Sequence, residues 1–259
     1  MKHYNLNPYI GITGFRHRHQ VENMLEVFNR YMPVGSRHML HVGTMMSRKT
    51  LLGGRSRFKD AFPRNQEHRE IFSLDLDIVY NCLHYVDYGD KPDRDLSHNL
   101  QGAISFCGRN LNAIQLDLVW PDPHAIQHFI SSCPRKLEVI LQVGPKALEE
   151  VGSTPLGVVK KLNEYTNCVD RVLFDLSCGN GEPIRPDVAI PYLREIDLHH
   201  PFSLVVAGGF GPHTMDPLAE IRVHFPDVSH DAESKLRRSG SNKDPINWDL
   251  AEGYIRNSF

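Results

Sequence analysis

The segment NPYIGITGF, residues 7–15, is a short apolar run with two glycines, and the helix-like HQVENMLEVF, residues 19–28, follows it. A short apolar strand followed by a helical pattern is typical of parallel βα units. The same alternation continues along the whole chain and predicts eight strands. They are PYIGIT (8–13), HMLHVGTM (38–45), DIVYNCLHY (77–85), AIQLDLV (113–119), EVILQVG (138–144), RVLFDLS (171–177), SLVVAGG (203–209) and DVSHDA (227–232).

Helical patterns separate these strands, and the eighth strand precedes a last predicted helix at 244–259. Eight βα units that close on themselves predict a single (β/α)₈ TIM barrel, and the 259 residues fit the usual size of that fold. We therefore expect one domain over residues 1–259. The longest polar insertion, GGRSRFKDAFPRNQ at 53–66, is either a lid or an ordinary solvated loop.

Composition excludes several classes of protein. Hydrophobic residues make up 41% of the chain and the formal net charge is −2, which gives no reason to expect nucleic acid or a membrane surface as a partner. The N-terminus lacks the apolar core of a signal peptide, so we expect a cytoplasmic protein. The five cysteines form no C-x-x-C pair, and we expect neither a metal nor a cofactor. The oligomeric state stays open.

The predicted strands have polar residues at their carboxyl ends, where the active sites of TIM barrels lie. Apolar strand bodies with polar ends indicate a site rather than packing alone. These residues are Thr13, Thr44, Ser47, Arg48, His84, Asp87, Gln115, Asp117, Gln142, Asp175, Ser177, Gly208, Gly209, Ser229, His230, Asp231 and Glu233.

Six segments in the same order and at similar intervals resemble phosphoribosylanthranilate isomerase, a family of ribulose-phosphate-binding barrels. IGIT is similar to the C-G-I-T run that ends the first strand of the family, and VVAGGFGPHTM to the L-A-G-G-L-x-P segment after its seventh strand. The segments are IGIT (10–13), SRK (47–49), IQLD (114–117), LFDLSCGNGEP (173–183), VVAGGFGPHTM (205–215) and DVSHDAE (227–233).

The resemblance implies an internal redox rearrangement of an aminoaldose phosphate, which needs one proton donor and one proton acceptor. Asp175 falls on the position of the family's acid, although a carboxylate that only fixes the loop is an alternative. Ile10 falls on the position of the family's basic cysteine and cannot transfer a proton. His84, Asp117 and His230 are the possible replacements, and Asp175, His84 and Asp117 form our predicted catalytic set.

The resemblance also implies a small-molecule substrate, phosphorylated or not. Glycines after the seventh strand let the backbone approach a phosphate, but Asp231 stands where the family has a glycine and would repel that group by roughly 1–4 kcal/mol. Two hypotheses follow: an isomerase or lyase acting on a sugar-phosphate-like substrate, or a non-catalytic barrel that binds a small molecule or a protein partner. The predicted substrate-binding residues are Arg48, Gln115, Gly208, Gly209, Ser229, His230 and Asp231.

Overall fold

The computed structural model describes residues 6–56, 58, 61–87, 95–177, 181–241 and 244–259. The strands of these ranges form a closed barrel in which each strand pairs in parallel with the next, and β8 pairs with β1. The TIM-barrel prediction is therefore confirmed, and every predicted strand is present. The strands are β1 Tyr9–Thr13, β2 Met39–Ser47, β3 Val79–Val86, β4 Ala113–Asp117, β5 Glu138–Val143, β6 Arg171–Asp175, β7 Ser203–Ala207 and β8 Ser229–Ala232.

Helices connect the strands on the outside of the barrel. The helical sequence pattern at residues 65–74 forms only a 3₁₀ turn at Asn65–Glu67 and the short α-helix His68–Ile71. Two short helices, Arg48–Leu51 and Pro145–Glu150, lie outside the helical patterns of the sequence. The helices are α1 Arg18–Tyr31, α2 Arg48–Leu51, α3 His68–Ile71, α4 Leu96–Ser105, α5 Pro123–Ser132, α6 Pro145–Glu150, α7 Pro155–Leu162, α8 Pro186–His199, α9 Asp216–His224 and α10 Trp248–Asn257. None of these helices is both long enough and apolar enough to cross a membrane.

Several helices start at a proline, whose fixed φ suits the first helical turn and whose missing N–H loses no bond there. Pro123 and Pro155 begin α5 and α7, each directly after a capping side chain. The carboxylate of Asp122 accepts from the backbone N–H of His124 at 3.0 Å. The hydroxyl of Thr154 accepts from Gly157 at 3.1 Å. These local signals fix where the chain turns from a strand into a helix.

Two apolar cores lie on the two faces of the sheet. The larger core lies between the strands and the helices and contains Ile10 and Ile12 of β1. The smaller core fills the barrel interior, and its buried members are Tyr9, Tyr80, Cys82, Ala113, Ile140, Leu173 and Val205. Alternate residues of β1 thus face opposite ways, as the pleat of a strand requires. Side chains that face inward at the carboxyl ends of the strands line the mouth of the barrel.

At the opposite end of the barrel, Arg171 closes the interior. Its guanidinium donates to the carboxylate of Glu138 at 2.8 Å, and only 1% of its side chain is exposed. The same group lies over the rings of Tyr9 and Tyr80, at 5.4 and 5.1 Å from their centroids. Features at this end of a TIM barrel contribute to stability rather than to catalysis.

Part of the predicted lid at 53–66 packs against the rim of the mouth. Phe58 and Phe62 contact a small apolar cluster that contains Met45 and Val86. Residues 57, 59 and 60 of this segment lie outside the described residues. Closure over the mouth stays a prediction.

Candidate active site

A cavity of about 100 Å³ opens at the carboxyl ends of the strands. Five of our predicted site residues from strands β3, β4, β6 and β8 line it, together with the two glycines that follow β7. The predicted residues along its wall are His84, Gln115, Asp117, Asp175, Gly208, Gly209 and Asp231. The barrel therefore brings side chains that are far apart in sequence into one site.

A chain of hydrogen bonds crosses one side of the mouth. The amide nitrogen of Gln115 lies 3.4 Å from Nε2 of His84 and donates to Oε1 of Gln142 at 2.9 Å. The amide nitrogen of Gln142 in turn donates to Oδ2 of Asp175 at 3.3 Å. These hydrogen bonds link strands β3, β4, β5 and β6, so the orientation of each side chain depends on its neighbours.

Asp175 ends β6 and is almost fully buried. Its Oδ1 accepts from the backbone N–H of Ser177 at 2.8 Å and from the Ser177 hydroxyl at 2.7 Å. Burial raises the pKa of Asp175, and the two bonds from Ser177 oppose that rise without cancelling it. The carboxyl group is held in one orientation and is closer to the pH range of a working acid than an exposed aspartate.

Asp231 faces the same cavity from β8. The hydroxyl of Thr13 donates to its Oδ2 at 2.9 Å. Burial raises the pKa of Asp231 to about 7, although the bond from Thr13 and the nearby His84 favour the charged form. Its Oδ1 has no hydrogen-bond partner among the described residues.

His84 and Asp117 form an ion pair at the mouth, with 3.6 Å between Nε2 and Oδ2. Burial alone lowers the pKa of His84, but the hydrogen bond and charge of Asp117, with the charges of Glu233 and Asp231, raise it overall. Nδ1 of His84 and Oε1 of Gln115 are both buried and have no partner in the described part of the chain. Buried polar atoms without partners are uncommon and mark places where a ligand can bind.

The remaining charges of the wall come from the loop after β8. Glu233 accepts from the buried guanidinium of Arg237 at 2.9 Å, so that cation is already paired within the fold. Burial raises the pKa of Glu233, and Arg237 opposes the rise. Lys235 lines the cavity as well. The wall thus combines carboxyl groups with the imidazole of His84 and the side chain of Lys235.

Gly208 and Gly209 follow β7 and have backbone φ angles of +135° and +63°, which residues other than glycine rarely adopt. A Cβ atom on Gly209 would lie 2.8 Å from the carbonyl oxygen of Gly181. A Cβ atom on Gly208 would lie 3.1 Å from the side chain of Ile184. The loop before α8 therefore packs directly on this glycine pair. This packing is sufficient to require glycine at both positions, whether or not a ligand binds there.

Three predicted binding residues lie away from the cavity. The hydroxyl of Ser229 accepts from the backbone N–H of Tyr9 at the closed end of the barrel. His230 faces the helices, and its Nε2 lies 3.1 Å from the hydroxyl of Ser258. Arg48, at the start of α2, is half-exposed and has its guanidinium 3.9 Å from Asp87. Ser229 faces the interior of the barrel below the mouth, whereas His230 faces outward, because the predicted strand did not show which of its residues face inward.

The structure adds residues that were not among the predicted site residues. Thr13 and Gln142 had been noted only as polar strand ends, and both line the cavity. Gly11 and Gly43 leave room for the polar groups, since a Cβ atom on Gly43 would lie 2.5 Å from the hydroxyl of Thr13. Glycines inside apolar strands were the available signal, because such glycines often mark close approach of another group.

The arrangement offers three carboxyl groups with raised pKa, one imidazole paired with a carboxylate, and a lysine. Within the described ranges, no three His, Cys, Asp or Glu side chains are arranged to hold a metal ion. Acid–base chemistry on a small polar molecule is what these groups can perform.

Comparison with solved structures agrees with this architecture. Phosphoribosylanthranilate isomerase from Thermotoga maritima superposes on the chain with a TM-score of 0.61 at 17% identity, covering 97% of this chain and 98% of the isomerase. The chain shares the fold of phosphoribosylanthranilate isomerase. A structure of such an isomerase in complex with reduced 1-(o-carboxyphenylamino)-1-deoxyribulose 5-phosphate gives a TM-score of 0.60 with the same identity and coverage.

A further similar structure is the N-terminal domain of a putative aldolase from Bacteroides vulgatus. Its TM-score is 0.56 at 11% identity, and the match covers 87% of this chain and 72% of that chain. No protein-family model matches the sequence, and no curated protein sequence matches it either. The resemblance predicted from the six motifs is therefore confirmed as a likeness of fold.

Proposed function

We propose that the protein is an enzyme that converts a small aldose-like sugar into the corresponding ketose by proton transfer, with Asp175 as the general acid. The observation that carries this proposal is the presence of two buried carboxyl groups with raised pKa, Asp175 and Asp231, in one cavity. Groups of this kind collect at catalytic sites because proton transfer needs a pKa near the working pH.

Asp175 is well placed to deliver a proton to the ring oxygen of a cyclic sugar. The bonds from Ser177 and Gln142 fix its carboxyl group, so little reorientation is needed when the substrate binds. The raised pKa leaves a larger protonated fraction at a given pH than an exposed aspartate has.

His84 supplies the positive charge of the proposed reaction. Its pKa is raised overall despite its burial, so the imidazolium form persists to higher pH. A cation in a buried site stabilises the negative charge that develops on a sugar oxygen as the adjacent carbon loses its proton. Asp117 holds the ring through the 3.6 Å ion pair and is a positioning residue in this scheme.

We further propose that the substrate is small and bears a phosphate. The cavity of about 100 Å³ holds only a compact polar group, so the rest of a sugar phosphate would lie at its open end. Lys235 lies on the side formed by the loops after β7 and β8, where TIM barrels commonly bind phosphate. Gly208 and Gly209 lie on the same side of the mouth. In the proposed scheme their backbone contacts the phosphate, in addition to packing against the loop before α8.

The test is turnover of two probe sugars, freshly generated phosphoribosylanthranilate, followed by fluorescence, and ribose 5-phosphate, followed by NMR. Asp175→Asn is expected to fold normally and to lose turnover by roughly 10²–10⁴-fold, as for the loss of one general acid. The matched control is Asp187→Asn, which makes the same change at an exposed carboxylate and should keep the wild-type rate.

Undiminished turnover in Asp175→Asn would remove Asp175 from the mechanism. A wild-type protein that turns over neither sugar would contradict the proposed function. Binding of either probe without turnover would then favour the alternative, a non-catalytic barrel that binds small molecules.

A further inference from the structure

We propose that Asp231, held by the hydroxyl of Thr13, is the second proton-transfer group of the mouth and takes the proton from the sugar carbon next to the carbonyl. This inference rests on the proposed function and deepens it. It also replaces the expectation that His84, Asp117 or His230 serves as the base.

The directions in which the side chains of β1 and β8 point exclude Ile10 from this role. Ile10 pairs in register with His230, and Gly11 pairs with Asp231. In-register neighbours in a sheet share a face. Ile10 lies in the core between the sheet and the helices, so Gly11 and Asp231 face the barrel interior. A side chain at position 10 cannot reach a substrate in the mouth.

Thr13 is the inward-facing residue at the carboxyl end of β1. It stands two positions after Gly11, lines the cavity and is followed by Gly14. Thr13 is therefore the side chain of β1 that reaches the mouth, and it contacts Asp231 there.

The contact between Thr13 and Asp231 anchors one carboxylate oxygen and leaves the other for the substrate. Oδ2 accepts from the Thr13 hydroxyl at 2.9 Å. Oδ1 is buried and has no partner in the described residues. A base must be fixed in orientation and must keep one lone pair for the proton it removes. Asp231 meets both requirements.

Two glycines make room for this pair. A Cβ atom on Gly11 would lie 2.8 Å from Oδ1 of Asp231, and one on Gly43 would lie 2.5 Å from the hydroxyl of Thr13. Contacts this short force a shift of the neighbouring atom. Glycine at these two positions of β1 and β2 therefore provides the space that the Thr13–Asp231 pair occupies, which an exposed carboxylate would not need.

The charges around Asp231 suit a base that works near neutral pH. Burial raises its pKa to about 7, so it is half-ionised there. The titratable groups that face it are His41, His84, Glu233, Tyr9, Cys82 and Tyr254. Burial raises the pKa values of the two tyrosines and the cysteine well above their usual range and lowers the pKa of His41 to about 3, so these four groups stay neutral. His84 and Glu233 are the facing groups that change charge.

The proposed step is balanced without any external oxidant or reductant. Asp175 gives its proton to the ring oxygen as the sugar opens, and the anomeric hydroxyl releases its proton to solvent water. The Asp231 carboxylate then takes the proton from C2. The electron pair of that bond forms the C1–C2 double bond, the π pair of the C1 carbonyl moves to O1, and O1 takes a proton from the imidazolium of His84, which regains one from water. Asp231 returns a proton to C1, and the C2 hydroxyl gives its proton to Asp175 as the new carbonyl forms.

The test measures kcat and kcat/KM for the two probe sugars across the pH range in wild type and four variants. Asp231→Asn is expected to lose kcat by roughly 10²–10⁴-fold. In wild type, kcat/KM should rise with pH around a midpoint of about 7. Thr13→Val removes the bond that favours the carboxylate and should move that midpoint up by about one pH unit, whereas Thr13→Ser keeps the hydroxyl and should leave it in place. Ile10→Cys should not increase turnover.

The outcomes separate this inference from the proposed function. Turnover of Asp231→Asn within about threefold of wild type would overturn the inference while the proposed function stands. An unmoved midpoint in Thr13→Val, or increased turnover in Ile10→Cys, would overturn it as well. If wild type converts neither sugar, the proposed function falls and this inference falls with it. Circular dichroism confirms the fold of each variant, and the threonine pair keeps the test valid if Asp231→Asn does not fold.

Discussion

Replacing Asp231 with asparagine is expected to stabilise the fold, and the gain should grow with pH. The buried carboxyl group holds its proton up to about pH 7, whereas the usual value is 3.8. Its contribution to stability is therefore fully present below about pH 4 and is lost as the pH rises through 7. Asparagine keeps an oxygen that can accept the bond from Thr13, but it does not ionise, so the variant escapes this loss.

The size of the effect follows from the pKa. The difference between 3.8 and about 7 corresponds to about 4 kcal/mol of unfolding free energy above pH 7. About 2.5 kcal/mol of that loss falls between pH 5 and 8.5. Asp175 and Glu233 also have raised pKa values, but both are present in wild type and variant, so their contributions largely cancel in the difference.

Urea unfolding followed by circular dichroism at several pH values measures this difference. The gap between Asp231→Asn and wild type should widen by about 2.5 kcal/mol from pH 5 to 8.5. Asp75→Asn, at an exposed carboxylate outside the mouth, is the matched control and should give a flat difference. A flat difference for Asp231→Asn would refute the reasoning, and so would a variant that is less stable than wild type at pH 8.5.

Three further predictions concern other parts of the barrel. Arg171→Leu leaves Glu138 without its partner at the closed end and should lower the free energy of unfolding by about 3–5 kcal/mol in urea titrations, with no change at the mouth. Asp117→Asn removes the bond and charge that raise the pKa of His84, so NMR titration should show that pKa falling below 6.5, because burial then dominates. Gly209→Ala should lower the thermal unfolding midpoint, since the φ of +63° is strained for alanine and the new methyl meets the loop before α8.

The fold was predictable because each strand is a short apolar run bounded by polar residues, and each helix repeats its apolar positions at helical spacing. The order of eight such pairs leaves few alternatives to a barrel. Helix lengths were less predictable. The pattern near residues 65–74 satisfied helical spacing, but the chain forms only short turns there.

The direction of each side chain was harder to predict than the strands themselves. Strands of a parallel barrel are covered on both faces, so their sequences do not alternate between apolar and polar residues. IGIT alone therefore does not tell whether Ile10 or Gly11 faces inward, and the same holds for His230 and Asp231. Pairing of β1 with β8 decides both questions, and that pairing joins residues about 220 positions apart.

The most direct test of the central claim is deuterium uptake during conversion of ribose 5-phosphate in heavy water. A proton that passes from C2 to a carboxylate and back to C1 exchanges with the solvent for part of its lifetime. We expect measurable deuterium at C1 of the ketose made by wild type, and both ketose formation and deuterium uptake slowed by roughly 10²–10⁴-fold in Asp175→Asn and Asp231→Asn. A ketose without any deuterium, or uptake that Asp231→Asn retains at the wild-type rate, would contradict the account.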